Sequence, residues 1–203
     1  MLSKTVSGFL AGILITIGGT VFLSCENRYV GAVLFSVALL CICFKGYSLF
    51  TGKVGFLPEK HGKEEWSVLL LGLLGNTVGT ILGGFAIRCG IPSLGDAAAV
   101  ICTAKLTQTL PQTLIRALFC GILMYLAVSI YRDHKSIAGI VFCIPTFILS
   151  GFEHSIADLF YFAASGIVSA QAFLFIVLVI LGNAAGGILL PLLKMLSSKG
   201  EKN

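Results

Sequence analysis

One stretch of the chain concentrates its chemistry: Ser150-Gly151-Phe152-Glu153-His154-Ser155-Ile156-Ala157-Asp158. Glu153, His154 and Asp158 interrupt an otherwise apolar run, and Gly151 precedes them. Ionisable groups at membrane depth are costly, so they mark a pathway or a buried functional site. Histidine is the side chain suited to passing a proton near neutrality, because its ordinary pKa is about 6.5. Glu153 reads as a brace for an interrupted helix rather than a substrate contact. Asp158 lies four residues after His154, one helical turn on, and reads as a local hydrogen-bonding group.

The rest of the sequence puts that stretch in lipid. Of 203 residues, 57% are hydrophobic and only 11% charged, against about 25% charged in a soluble domain. Charge-free runs cover 5–25, 29–44, 66–87, 117–131, 136–152 and 159–193. A spanning helix needs roughly 20 apolar residues, and 5–25, 66–87 and 171–193 supply them outright. The run 29–44 is short, and 136–152 stops at Glu153-His154. The sequence therefore predicts an all-α membrane protein with six transmembrane segments, two of them interrupted, in one domain over residues 1–203. The first run is long for a signal peptide and reads as a membrane helix.

Basic residues predict the orientation. With the N-terminus inside, inner segments hold Lys4, Lys53, Lys60, Lys63, Arg132, Lys135, Lys194, Lys199 and Lys202, and outer segments only Arg28, Arg88 and Lys105. Lys45 and Arg116 fall at or within helix ends, and Lys45 reads as snorkelling to the inner interface. Both termini are expected in the cytoplasm. The net charge of +5 requires no nucleic-acid partner, since anionic lipid accounts for basic inner loops. The seven cysteines show no metal-ligand spacing and read as small buried hydrophobes. No cofactor is implied. His61 and His134 sit in basic inner loops and read as solvated.

The two halves, about 1–90 and 100–203, echo each other. Gly75-Asn76-Thr77-Val78-Gly79 matches Gly182-Asn183-Ala184-Ala185-Gly186 at an offset of 107, and Thr51 precedes His154 by 103. An odd number of crossings between repeats inverts the second in the membrane. Interrupted segments at matching positions of inverted halves point to a transport site. The shared glycines read as close helix packing. The segment 88–113, with Pro92, Gly95, Asp96 and Pro111, reads as an outer excursion.

Over nearly its whole length the chain resembles the formate/nitrite transporter family, although it is shorter than is usual there. Gly151-Phe152-Glu153-His154-Ser155-Ile156-Ala157 is similar to the family's fifth-helix signature, which normally continues with Asn where Asp158 stands. Leu49-Phe50-Thr51-Gly52 is similar to the loop that breaks the second helix, with Ser48 where Glu is common. The resemblance implies an aquaporin-like fold of six helices, the second and fifth broken, one pore per subunit, in a homopentamer. It implies small monovalent anions, such as formate, nitrite or hydrosulfide, as substrates, and a bacterial inner membrane as the setting. His154 becomes the pore histidine, facing Thr51. Lys105 becomes the lysine near the pore centre, with Glu153 its neighbour. Gly121 stands where Asn is expected sixteen residues later. Phe35, Leu39, Leu49, Phe50 and Phe147 match the apolar constrictions.

Apolar rings resist a bare anion, whereas a weak acid that takes a proton crosses neutral. Two other readings stay open. A neutral-solute channel of aquaporin type lacks its usual Asn-Pro-Ala pair here. A membrane-embedded enzyme using Glu153 and His154 lacks a matching nucleophile or metal-ligand spacing.

Overall fold

Backbone amides in lipid must be satisfied within the chain, so apolar runs of this length become helices. A computed structural model of the protein describes residues 1–200, with side chains as far as Ser198. Lys202 and the Lys199 side chain, both counted above among the inner basic groups, lie outside the described residues. The helices are α1 (Leu2–Ser24), α2 (Arg28–Lys45), α3 (Phe50–Lys53), α4 (Lys63–Gly90), α5 (Pro92–Leu106), α6 (Leu110–His134), α7 (Ala138–Leu149), α8 (Ser155–Ser165) and α9 (Ala170–Gly200). By length and apolarity, α1, α2, α4, α6 and α9 are each able to cross a membrane, while α7, with 12 residues, is too short alone.

The excursion over 88–113 is not a plain connection: it carries α5, 15 residues long. The run Asp96-Ala97-Ala98-Ala99 has high helix propensity. Pro92 at the first position gives up an amide that no helical partner would have used. Thr109 and Gln112 then form a reciprocal capping box that starts α6. The cysteines also differ from expectation. All are free thiols, but only Cys102 and Cys120 are buried, and Cys89 is exposed.

Two helices end in the same way. At α2, Gly46 adopts φ +70, its N–H meets the Cys43 carbonyl, and the Tyr47 N–H returns to Ile42 at 3.0 Å. At α7, Gly151 adopts φ +67, and the Phe152 N–H returns to Phe147 at 2.9 Å. A left-handed glycine with this return bond closes a helix sharply. Each ending is followed by a few extended residues and a new helix, α3 or α8.

The exposed backbone at both gaps is gathered by one asparagine each. Asn76 on α4 donates Nδ2 to the carbonyls of Gly8 and Ser48, both at 2.8 Å, and its Oδ1 accepts the Phe50 N–H at 2.8 Å. Asn183 on α9, 107 residues later, donates to the carbonyls of Ala117 and Glu153, both at 2.8 Å, and accepts the Ser155 N–H at 2.9 Å. Both side chains are fully buried. Each ties its own helix to a partner helix (α4 to α1, α9 to α6) and to the first amide of the helix beyond the gap.

Close helix approach makes these bonds possible. A Cβ on Gly186 would collide with the Leu118 carbonyl, and one on Gly121 with the Asn183 carbonyl and, at 2.8 Å, the Gly187 amide. The glycines thus serve packing, as their spacing implied.

Asn183→Ala would strand the Glu153 carbonyl and the Ser155 amide at about 1–3 kcal/mol each and remove the tie to α6 at Ala117. We expect a loss of about 3 kcal/mol or more in reversible detergent unfolding, and a similar loss for Asn76→Ala. A loss below about 1 kcal/mol in either would show that the gaps hold themselves. Gly121→Asn has no room at the α6–α9 contact and is expected to lower thermal stability in detergent, whereas stability equal to wild type would contradict the packing.

Candidate functional site

His154 is the extended residue that caps α8. Its Nδ1 accepts the Ala157 N–H at 3.1 Å, so that nitrogen carries a lone pair. The hydrogen-bond pattern therefore assigns the proton of the neutral ring to Nε2. Nε2 donates to Thr51 Oγ1 at 2.8 Å. Thr51 comes from α3, the other helix that begins after a gap. His154 is 2% exposed and Thr51 fully buried. The two residues separated by 103 positions are thus in direct contact.

Apolar side chains wall the pair. The Phe147 ring stacks on His154 with centroids 5.5 Å apart, and Phe35 meets Phe147 edge-on at 6.4 Å. Leu39, one turn beyond Phe35 on α2, and Leu49 are each 1% exposed.

A cavity of about 750 Å³ reaches His154 from one side, lined also by Phe35, Phe147, Lys105, Glu153 and Asp158. A second cavity, about 260 Å³, is lined by Leu39, Leu49, Gly52, Lys53, Arg132 and Lys135. They open at opposite ends of α2, the first meeting it at Arg28 and Phe35 and the second at Leu39 and Gly46. His154 lines only the first cavity, and the two leucines line only the second. Phe50 lines neither: its amide is drawn to Asn76 and its ring is buried.

The larger cavity has a charged wall. Lys105, in the last turn of α5, pairs with Glu153 and, at 2.9 Å, with Asp158 Oδ1. Gln108 Nε2 donates to Glu153 Oε1 at 2.6 Å. Glu153 also supplies the carbonyl that Asn183 binds, so the residue braces the gap through both backbone and side chain. Gly121 has no part in this network. It sits against α9, and Gln108 is the amide that serves the carboxylate. Asp158 was expected to bond locally. Its N–H does donate to the His154 carbonyl at 2.8 Å, but its carboxylate reaches across to α5. The reason is simple: one turn beyond His154 it shares the face that looks onto Lys105.

Arg28 and Arg116 also line this cavity. Arg116 Nη1 donates to the Gly151 carbonyl at 3.1 Å, and Arg28 reaches the Ile148 carbonyl at 3.4 Å. Gln108, Arg28, Arg116 and Tyr161 were not singled out from the sequence. Gln108 had one available signal, as a polar residue three positions after Lys105 near a helix end. At the smaller cavity Arg132 lies 4.0 Å from the Phe56 ring centroid and is paired with Glu59 at 3.2 Å and Asp133 at 2.8 Å. His61 and His134 are exposed and line neither cavity.

The arrangement offers one hydrogen-bond donor pair in an apolar plug, with cations on the walls at either side. Such a site suits a small solute that accepts hydrogen bonds. The known proteins that resemble the chain agree. The nitrite transporter NirC of Salmonella typhimurium is 30% identical over 181 residues, covering 80% of this chain and 66% of that protein. The chain thus spans about two thirds of that transporter's length. Among solved structures, an FNT family ion channel superposes with a TM-score of 0.78 at 25% identity, covering 92% of this chain and 84% of that one. A pentameric formate channel with formate bound gives 0.77 at 24% identity, covering 97% of both. These relatives are named transporters and channels, which sets the enzyme reading aside. The family described as Formate/nitrite transporter matches residues 1–196, and the chain belongs to it.

Proposed function

We propose that the protein is a membrane channel for small monovalent anions of weak acids, formate and nitrite being the first candidates. The observation that carries the reading is the His154–Thr51 contact, buried at 2.8 Å between two cavities that open in opposite directions. On this reading the chain is one membrane domain that crosses six times. α2 with α3, and α7 with α8, form the interrupted second and fifth crossings, and the halves are related as an inverted, aquaporin-like 3+3 repeat. The matching asparagine braces and glycine endings support it. Both termini face the cytoplasm of a bacterial cell, so the larger cavity opens outside. The assembly is a homopentamer, as the formate-channel neighbour is described. Apolar faces such as Leu70, Leu74, Ile81 and Phe85 on α4 then meet lipid or another subunit.

An ion at bilayer depth costs about 2.5–3.5 kcal/mol even on lenient scales. Phe35 and Phe147 on one side, and Leu39 and Leu49 on the other, impose that cost. The site offsets part of it. Nε2–H of His154 is a donor aimed into the plug, and the amide end of the 11-residue α8 adds partial positive charge there. An anion that reaches His154 exchanges the Thr51 bond for its own. Full proton donation needs a second proton, delivered from outside solution through the larger cavity, which Nδ1 accepts only by releasing the Ala157 amide; once Nε2 gives its proton to the solute the ring is neutral again. Protonating the solute and loosening the α8 cap are therefore one event. The neutral acid then passes the leucines and loses its proton in the basic inner cavity.

Purified protein in liposomes, assayed by stopped flow, is expected to pass formate and nitrite faster as pH falls. His154→Asn removes a hydrogen bond to a charged group, worth about 1.5–3 kcal/mol, so flux should fall about tenfold or more. No flux of either anion at any pH would overturn the proposal. Flux indifferent to both pH and His154→Asn would favour a neutral solute instead.

A further inference from the structure

Asp158 has no place in the account above, although it is as buried as the histidine. It is 1% exposed, it lines the larger cavity, and its Oδ2 has no hydrogen-bond partner among the described residues. Its Oδ1 shares Lys105 with Glu153. One ammonium thus faces two carboxylates, and with all three ionised the cluster has one negative charge in excess. It stands where an incoming anion must pass to reach His154. Gln108 already satisfies the second oxygen of Glu153, so the unfilled position belongs to Asp158.

We propose that Asp158 is a proton-operated electrostatic filter in the larger cavity, beside the plug. With its carboxylate charged, the wall repels anions. A proton taken from water in the cavity binds Oδ2, converts the carboxylate to a carboxylic acid, and leaves Lys105 balanced by Glu153 alone. The new O–H also points a donor into the cavity, where an anion can use it. The filter is specificity-determining and separate from the histidine step, although it rests on the anion-channel reading.

The neighbouring groups are compatible with that role. From α5, Lys105 and Cys102 face Asp158; from α6, Cys120; from the α7–α8 gap, Glu153 and His154; and along α8 itself, Tyr161. Arg28 and Arg116 line the same cavity, engaged with the Ile148 and Gly151 carbonyls. Arg88 of α4 is spent on the carbonyls of Ala164 and Ser165, at the far end of α8. Among the described residues, α1 and α9 contribute no ionisable side chain to the cavity wall. Lys105 is therefore, among the described residues, the sole cation paired with the two carboxylates, and it cannot balance both.

The test compares wild type with Asp158→Asn, which keeps shape and removes the charge, in liposomes with formate and nitrite as probes. Weak-acid flux varies with pH in any channel, so the readout is the variant-to-wild-type ratio from about pH 5 to about pH 8. The ratio should be close to one at the acid end and rise about tenfold or more at the alkaline end, where the extra charge is present in wild type alone. A ratio that stays flat would overturn the filter while leaving the channel intact. Absence of wild-type flux at every pH would remove the channel reading and the filter with it. Should the variant fail to fold, infrared spectra of wild type labelled with carbon-13 at the aspartate carboxyl supply the second measurement. A label-shifted carboxylic-acid band from a buried aspartate should appear over the same pH range. A carboxylate band alone throughout would overturn the proposal.

Discussion

A helix that stops inside a membrane leaves amides and carbonyls with no water to satisfy them, and everything distinctive about this protein depends on how that is solved. Asn76 and Asn183 each supply one acceptor and two donors, all three used, to a gap and to the helix beside it. A primary amide is the smallest side chain able to do this without charge. Serine has too few donors, and lysine or glutamate would bring a charge with its own desolvation cost. The glycine rows belong to the same solution, since an asparagine reaches a neighbouring helix's carbonyl only where the backbones nearly touch.

Once both gaps are held, the first residues of α3 and α8 are fixed, and with them the Thr51–His154 contact. His154 is then bound by two demands. As a helix cap it must accept at Nδ1, and as the polar group of the plug it must donate at Nε2. Only the neutral ring with its proton on Nε2 meets both, so any additional proton disturbs the cap. Glu153 is bound in a comparable way. Its carbonyl belongs to the Asn183 brace while its carboxylate anchors Lys105 and Gln108, so the charged wall and the backbone gap share one residue. Substitutions at such a position change structure and electrostatics together, which is why Asp158, outside the brace, separates them more cleanly.

Features that repeat or that break a pattern were legible in the sequence. A charged cluster inside an apolar run marked the interruption before α8, and the two Gly-Asn segments at a constant offset marked the repeat, though not the role of its asparagines as braces. What stayed hidden was contact between helices without a local pattern. Lys105 and Asp158 are far apart along the chain, and nothing near either announces the other. Gln108 is a lone polar residue at a helix end, a common feature with no periodicity to read. The α5 helix hid behind its flanking prolines, which end helices elsewhere but here sit where they start them. Gly121 was visible only as a departure from the family pattern, and its packing role, the lack of a side chain that lets α6 lie against α9, appears only in the structure.

The cations divide into those that keep their charge and those that are neutralised. Arg28 and Arg116 at the larger cavity bind carbonyls, which satisfy their donors without cancelling the charge. At the smaller cavity Arg132 is neutralised by Glu59 and Asp133, while Lys53 and Lys135 have no carboxylate partner among the described residues. Lys105, beside the plug, is matched and overmatched by carboxylates. On the proposed reading, positive potential is retained by Arg28 and Arg116 at one cavity and by Lys53 and Lys135 at the other, and withheld beside His154, where the solute would let go of its charge. An uncompensated lysine beside His154 would hold an anion there, and a pore that binds too well at its centre conducts slowly. Drawing the anion in at the rims while giving it no deep ionic partner favours the alternative open to a weak acid, which is to cross the plug with a proton in place of a counter-ion.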